Sequence, residues 1–291
     1  MPFSLGRWRQ FTTTYANAPL ATSDIDPPHK PELLDAGRCE ALSPRRIRLN
    51  ICIAAAVFVV AALVALFPDS FDRPVVQSFN QLVGRSKLFD RLVLSVFWYP
   101  TYSGVIVTAV IWWCWFATDA VESRCRIMIG VLAAFGAGAV SRWLQHVLPT
   151  HPRPYYDSAV SFKIPSELEQ QLNTWNSFPS DHGTILGALV VLAYIARFKF
   201  VLQLAIFVAL IELARTYAGA HYPSDLIGGA ALGTIAIWAV QRPKIFSLCS
   251  PALQWEKRSP SIFYATAFFL SYQVATLFGD LRWTASLILR P

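Results

Sequence analysis

Three short clusters, each where a long apolar stretch begins or ends, hold the residues of this chain best suited to chemistry. They are His146 with Arg153–Pro154, then Pro179–Ser180–Asp181–His182, then Ala214–Arg215 followed by His221 and Asp225. A cation inside a lipid-compatible segment costs roughly 2.5–3.5 kcal/mol at the bilayer centre, so such residues are kept where they face a polar cavity or a partner. The set therefore points to a membrane protein that handles an anion. Displacement at phosphorus needs a nucleophile, an acid for the leaving oxygen and cations over the equatorial oxygens. His221 is the candidate nucleophile, because Asp225 lies four residues on, one helical turn away if the sixth helix starts early, where a carboxylate fixes the tautomer and supports the positive charge.

The elements that must position these residues are apolar runs of nearly membrane-spanning length. They cover about 49–67, 101–118, 127–148, 182–196, 200–220 and 225–240, with a seventh at 261–278. Most approach the roughly 20 residues that a helix needs to cross a hydrocarbon core. The fold expected is all-α, a polytopic integral membrane helix bundle of six core transmembrane helices plus the seventh. Residues 68–100 place apolar residues at helical spacing (Phe71, Val75, Val76, Phe79, Leu82) among charges that include Asp69, Asp72, Arg73, Asp90 and Arg91. That pattern predicts amphipathic helices on the outer surface. Gly183/Gly187 and Gly229/Gly233 have the spacing of close helix packing.

Composition sets the class. With 54% hydrophobic residues and ten tryptophans the chain reads as a membrane protein, and its net charge of +7 does not indicate nucleic-acid binding. The basic residues fall in short clusters between apolar runs: Arg45, Arg46 and Arg48; Arg124 and Arg126; Arg197 and Lys199; Arg242, Lys244, Lys257 and Arg258. This alternation puts the N-terminus in the cytoplasm and all three chemical clusters on the opposite, outer face. The five cysteines, Cys39, Cys52, Cys114, Cys125 and Cys249, show neither a disulfide framework nor zinc-ligand spacing. No metal site and no cofactor are expected. The N-terminus does not read as a signal peptide. Residues 1–48 read as a cytoplasmic tail with little fixed structure, 49–243 as the membrane core, and 244–291 as a cytoplasmic linker, the seventh run and a short C-terminal segment.

The clusters resemble the type 2 phosphatidic acid phosphatase family, whose superfamily also includes vanadium haloperoxidases and glucose-6-phosphatases. Its pattern is K-x6-R-P, P-S-G-H and S-R-x5-H-x3-D. This chain reads His146-x6-Arg153-Pro154, Pro179-Ser180-Asp181-His182 and Ala214-Arg215-x5-His221-x3-Asp225. The resemblance implies a phosphohistidine at His221, with His182 donating a proton to the leaving group. It makes Arg153 and Arg215 forked clamps on the phosphoryl oxygens. Ser180 and the Asp181 amide would add donors near a helix N-terminus. Three departures stand out: His146 for lysine, Asp181 for glycine and Ala214 for serine. The P-S-D-H form is similar to the bacitracin-resistance branch, the undecaprenyl-diphosphate phosphatases. It thus implies a lipid-linked phosphate or diphosphate substrate, most specifically undecaprenyl diphosphate, handled on the outer face of a bacterial inner membrane.

Plainer roles stand beside these. Arg215 can pair with Glu212 on its own helix face. Ser180 or Asp181 can be an N-cap, and His182 an interfacial polar residue. His146 reads equally as an interfacial histidine or a phosphate ligand, with Arg142 one turn earlier as a substitute charge. His151, between Thr150 and Pro152, is expected to be solvated. The loop Tyr155–Phe178 reads either as a lid carrying a short amphipathic helix over Ser166–Asn173 or as a plain external loop. Two rival functions fit the same residues. One is a lipid phosphotransferase passing the phosphoryl group to a sugar or lipid acceptor, and the other is a non-catalytic membrane protein of this fold.

Overall fold

The computed structural model describes residues 42–149, 151–165, 172, 176–276 and 284, and every regular element among them is helical. The chain is a polytopic helix bundle. All seven apolar runs form helices: α1 (Pro44–Leu66), α4 (Ile106–Phe116), α5 (Val121–Val147), α6 (Asp181–Ile195), α7 (Val201–Tyr217), α8 (Pro223–Val240) and α11 (Pro260–Ala275). Of these, α1, α5 and α8 are long and apolar enough to cross a membrane by themselves. A π-turn at Thr101–Val105 leads into α4 and lengthens it. Outward-facing Val60, Leu63 and Phe67 are more than half exposed, which suits a face in contact with lipid.

Two helices start earlier than the apolar patterns indicate. Ser43 accepts a hydrogen bond from the Arg46 amide at 3.2 Å and Pro44 occupies the first helical turn, so α1 begins inside its basic cluster. Arg124 and Arg126, expected in a connecting loop, lie in the first turns of α5. Their charges are absorbed locally. Arg124 donates to Glu256 at 2.8 Å, while Arg126 pairs with Glu122 one turn back and lies 5.1 Å over the Phe246 ring. Glu256 belongs to α10 (Ser250–Arg258), which follows the single turn α9 (Pro243–Phe246), so the stretch expected as a linker is largely helical.

At the centre, α6 packs on α8 with almost no side chain between them. A Cβ at Gly229 would run into the Ser180 carbonyl, and one at Gly233 into the Thr184 carbonyl. Backbone cannot yield as a flexible side chain can. Gly233→Ala is therefore expected to cost about 1–3 kcal/mol through overpacking. A lowered thermal unfolding midpoint in detergent would show this, and an unchanged midpoint would refute the contact.

The amphipathic pair expected at 68–100 is present as α2 (Asp72–Asn80) and α3 (Lys87–Trp98). Their inner faces carry acids as well as apolar side chains. Asp72 accepts from the Ser224 amide at 3.0 Å and from the Ser224 hydroxyl, while Asp90 accepts the Tyr217 hydroxyl. Both acids are buried, and both bind the ends of helices that carry the candidate site. The expected lid helix over 166–173 lies outside the described residues, apart from Leu172, and so does Trp175.

Candidate active site

The site forms where the C-terminal ends of α5 and α7 meet the N-terminal ends of α6 and α8. Sequence dictates each end. Ser180 caps α6 by accepting from the Gly183 amide at 3.1 Å. Pro223 opens α8, and its third residue, Asp225, accepts from the Tyr222 amide at 2.8 Å. The two helix starts are joined by a bond from the Ser180 amide to the Asp225 carbonyl, 3.0 Å. From α5, Ser141 and Gln145 both donate to the Pro179 carbonyl, at 2.9 and 2.6 Å.

His221 is almost completely buried in the short turn between α7 and α8. Its Nδ1 lies 3.1 Å from the Ser177 carbonyl and 3.4 Å from Asp225 Oδ2. Two acceptors on that side assign the proton to Nδ1 and leave Nε2 unprotonated. Nε2 in turn faces Arg153 Nη1 at 3.3 Å, and the same Nη1 donates to the Ala220 carbonyl at 2.7 Å. Burial holds the imidazole below the usual histidine range, opposed by Asp225 and reinforced by Arg153, so the ring is neutral at neutral pH. A neutral imidazole with its lone pair aimed at a guanidinium is ready to attack whatever anion that guanidinium holds.

His182 forms a second histidine–carboxylate pair, its Nδ1 lying 3.3 Å from Asp181 Oδ1. Asp181 Oδ2 pairs with Arg142 of α5. His146 is exposed one turn further along α5, so the positive charge that α5 delivers to this cluster is that of Arg142. The carboxylate of Asp181, beyond its amide, is thus the feature that departs from the glycine pattern. His182 is within electrostatic reach of both His221 and Arg215. Arg215 is buried, with its guanidinium 5.4 Å over the Phe97 ring. The plain alternative for Arg215 is also present: Glu212 lies 3.5 Å away, without hydrogen-bond geometry. Glu212 therefore balances the charge without engaging the guanidinium fork.

One expectation is overturned. His151, read as solvated, is buried, and its Nε2 lies 3.3 Å from Asp225 Oδ1. Its backbone is pinned on both sides, since its amide accepts nothing but donates to Asn176 Oδ1 at 2.8 Å and its carbonyl accepts the Ser177 amide at 3.0 Å. The signal was present in the chain. A residue before proline is pushed towards extended backbone, and in extended backbone positions i and i+2 share a side. His151 and Arg153 flank Pro152 in this way. Asp157 and Tyr222 were also not singled out; the Tyr222 hydroxyl donates to Asp157 at 2.6 Å, and Arg73 donates to the same carboxylate at 2.9 Å. Among the described residues, no group of three His, Cys, Asp or Glu gathers as a metal-binding cluster.

Fold and site together define a helical membrane protein with two histidine–carboxylate pairs beside buried arginines. Residues 126–242 match the family model described as the PAP2 superfamily. Two curated relatives are similar over about half of the chain. One is the Escherichia coli (strain K12) protein YbjG, provisionally named an undecaprenyl-diphosphatase, 27% identical over 139 residues that cover 47% of this chain and 65% of that protein. The other is the undecaprenyl-diphosphatase BcrC of Bacillus subtilis (strain 168), 24% identical over 55% of this chain and 78% of that protein. The chain thus spans just under two thirds of the first relative's length. A transmembrane PAP2-type phosphatidylglycerolphosphate phosphatase from Bacillus subtilis is similar in structure at 15% identity and a TM-score of 0.45, covering 65% of this chain and 94% of that one.

Proposed function

We propose that the protein is a membrane lipid phosphatase that hydrolyses a lipid-linked diphosphate, with undecaprenyl diphosphate as substrate, through a phosphohistidine at His221. The observation that carries this reading is the His221 ring: Nδ1 between Ser177 and Asp225, and Nε2 turned to Arg153 at 3.3 Å. The curated relatives support the choice of substrate.

In the first step His221 Nε2 attacks the terminal phosphorus, held by Arg153 and Arg215. The bond to the bridging oxygen breaks, and His182 in its imidazolium form gives that oxygen its proton, releasing the lipid monophosphate. Asp225 stabilises the positive charge that develops on His221, and Asp181 does the same for His182 before it gives up its proton. In the second step water gives its proton to His182 and attacks the phosphohistidine. The P–N bond then breaks, releasing phosphate and restoring both rings. The basic ends of α1 and α5 support a cytoplasmic N-terminus, with the site on the outer face of a bacterial inner membrane.

The test is phosphate release by the purified full chain, with and without a chelator, from undecaprenyl diphosphate, phosphatidylglycerol phosphate, phosphatidic acid and lipid A. Undecaprenyl diphosphate is expected to be cleaved fastest in both arms. Failure on every substrate defeats the reading, and a phosphorylated product on adding sugar or lipid acceptors assigns the phosphotransferase instead. The pH profile should be bell-shaped, because His221 must be neutral and His182 protonated. Since burial holds His221 below its ordinary value, the acid limb should fall below about pH 6.5. A flat profile between about pH 5 and about pH 9, where histidines titrate, is incompatible with paired imidazoles.

A further inference from the structure

We propose that His151 is a positioning residue of this site: a second imidazole, bound as a cation to the far oxygen of Asp225, that orients the carboxylate and tempers its pull on His221. The inference rests on the phosphatase reading for its consequence in catalysis, but its physical core, the coupling of two histidines through one aspartate, does not.

Asp225 is shared. Its Oδ2 takes the Tyr222 amide at 2.8 Å and faces His221 Nδ1 at 3.4 Å, while its Oδ1 faces His151 Nε2 at 3.3 Å. Oδ2 is thus hydrogen-bonded, whereas Oδ1 stands at ion-pair distance from the His151 imidazole without hydrogen-bond geometry, so that coupling is electrostatic. The His151 ring is itself fixed, 5.0 Å from the Tyr222 ring and tied through its backbone to Asn176 and Ser177. Ser177 supplies the carbonyl that His221 Nδ1 faces, so His151 touches the nucleophile's surroundings by two routes.

The charges around His151 come from every side. Asp225 on α8, Asp72 on α2 and Asp157 in the following loop all favour its cationic form. Arg73 opposes them but is itself bound to Asp157, and the packed end of α1 contributes only apolar Ala62, Ala65 and Leu66. Burial alone would lower the His151 value, yet the Asp225 contact and the two further carboxylates raise it above the ordinary one. His151 also lines a cavity of about 360 Å³ with Arg73, Asp157 and Phe178. On the other side, Asp225 faces His221 and feels Arg153. The parallel with the acid is close, since Asp181 too bridges a catalytic imidazole and a second cation, Arg142. There the cation is permanent, whereas on Asp225 it titrates.

The sign of the effect follows. Removing a cation beside Asp225 leaves more of its negative charge to favour protonated His221, so His221 should lose its proton at higher pH. An opposite charge at this range shifts a titration by about one pH unit or more. His151→Gln is therefore expected to move the acid limb of kcat/KM up by about one pH unit, which at neutral pH lowers kcat/KM by up to about threefold. His151→Arg, which restores a permanent cation, should bring the limb back. A merely structural role would lower activity without moving the limb, and an unmoved limb in the Gln variant overturns the proposal. If the variants fail to fold, ¹⁵N-histidine NMR on the wild-type chain reads both rings without substrate. His151 should titrate above an ordinary histidine and His221 below it, and the reverse order also overturns the proposal. Because that titration involves no lipid, it can succeed where phosphate release fails, which separates this inference from the assigned reaction.

Discussion

Replacing His221 with Gln is expected to reduce phosphate release by about 10⁴-fold or more, the scale seen when a residue that forms the covalent intermediate is removed. The ring has three placed neighbours: Ser177 and Asp225 on Nδ1 and Arg153 on Nε2. Glutamine can keep one polar contact but has no nucleophilic ring nitrogen to attack phosphorus. Substrate binding should survive, because Arg153 and Arg215 remain, so the loss should appear in kcat with little change in KM. A ³²P label from the terminal phosphate should be trapped on the wild-type protein as an acid-labile adduct and be absent from the variant. A variant retaining a tenth of wild-type activity would eliminate His221 as the nucleophile.

Arg153→Lys should lower kcat/KM by about 10²-fold, although the charge is conserved. A guanidinium presents donors in a planar fork, and one preorganised donor at a developing oxyanion contributes about 10²–10³-fold. Here Arg153 Nη1 already divides itself between the Ala220 carbonyl at 2.7 Å and His221 Nε2 at 3.3 Å. It thus fixes the turn carrying His221, beside the anion it would hold in the proposed reaction. A lysine ammonium offers a single point of charge and cannot hold both. Steady-state kinetics beside a thermal melt separate the roles, and near-wild-type kcat/KM in the lysine variant would show that charge alone suffices.

Most of the bundle was legible because apolar run length is read directly by a membrane, and all seven runs became helices. The ends were less legible. Ser43 and Pro44 start α1 ahead of its apolar residues, and Arg124 and Arg126 extend α5 because partners distant in sequence, Glu256 and Phe246, neutralise or cover them. The clusters around His182 and His221 were readable from spacing, although His221 meets Asp225 from the turn that precedes α8 and not from one turn of the helix itself. What spacing could not provide was the traffic between elements. His151 is buried only because the loop folds it onto Asp225, and the acids of α2 and α3 turn inward to meet Ser224 and Tyr217. Nor could spacing supply a partner for the Asp181 carboxylate, which finds Arg142 across a helix interface.

The bare contact between α6 and α8 has a consequence for selectivity. With Gly229 against the Ser180 carbonyl and the Ser180 amide on the Asp225 carbonyl, the separation of the two helix starts is set by main chain alone. No guest has to mould that gap, and no guest can widen it. In the proposed reaction discrimination would then belong to the phosphate end, and the hydrocarbon portion would be free to differ in length and saturation. Such an enzyme would be strict about what it cleaves and permissive about what carries it.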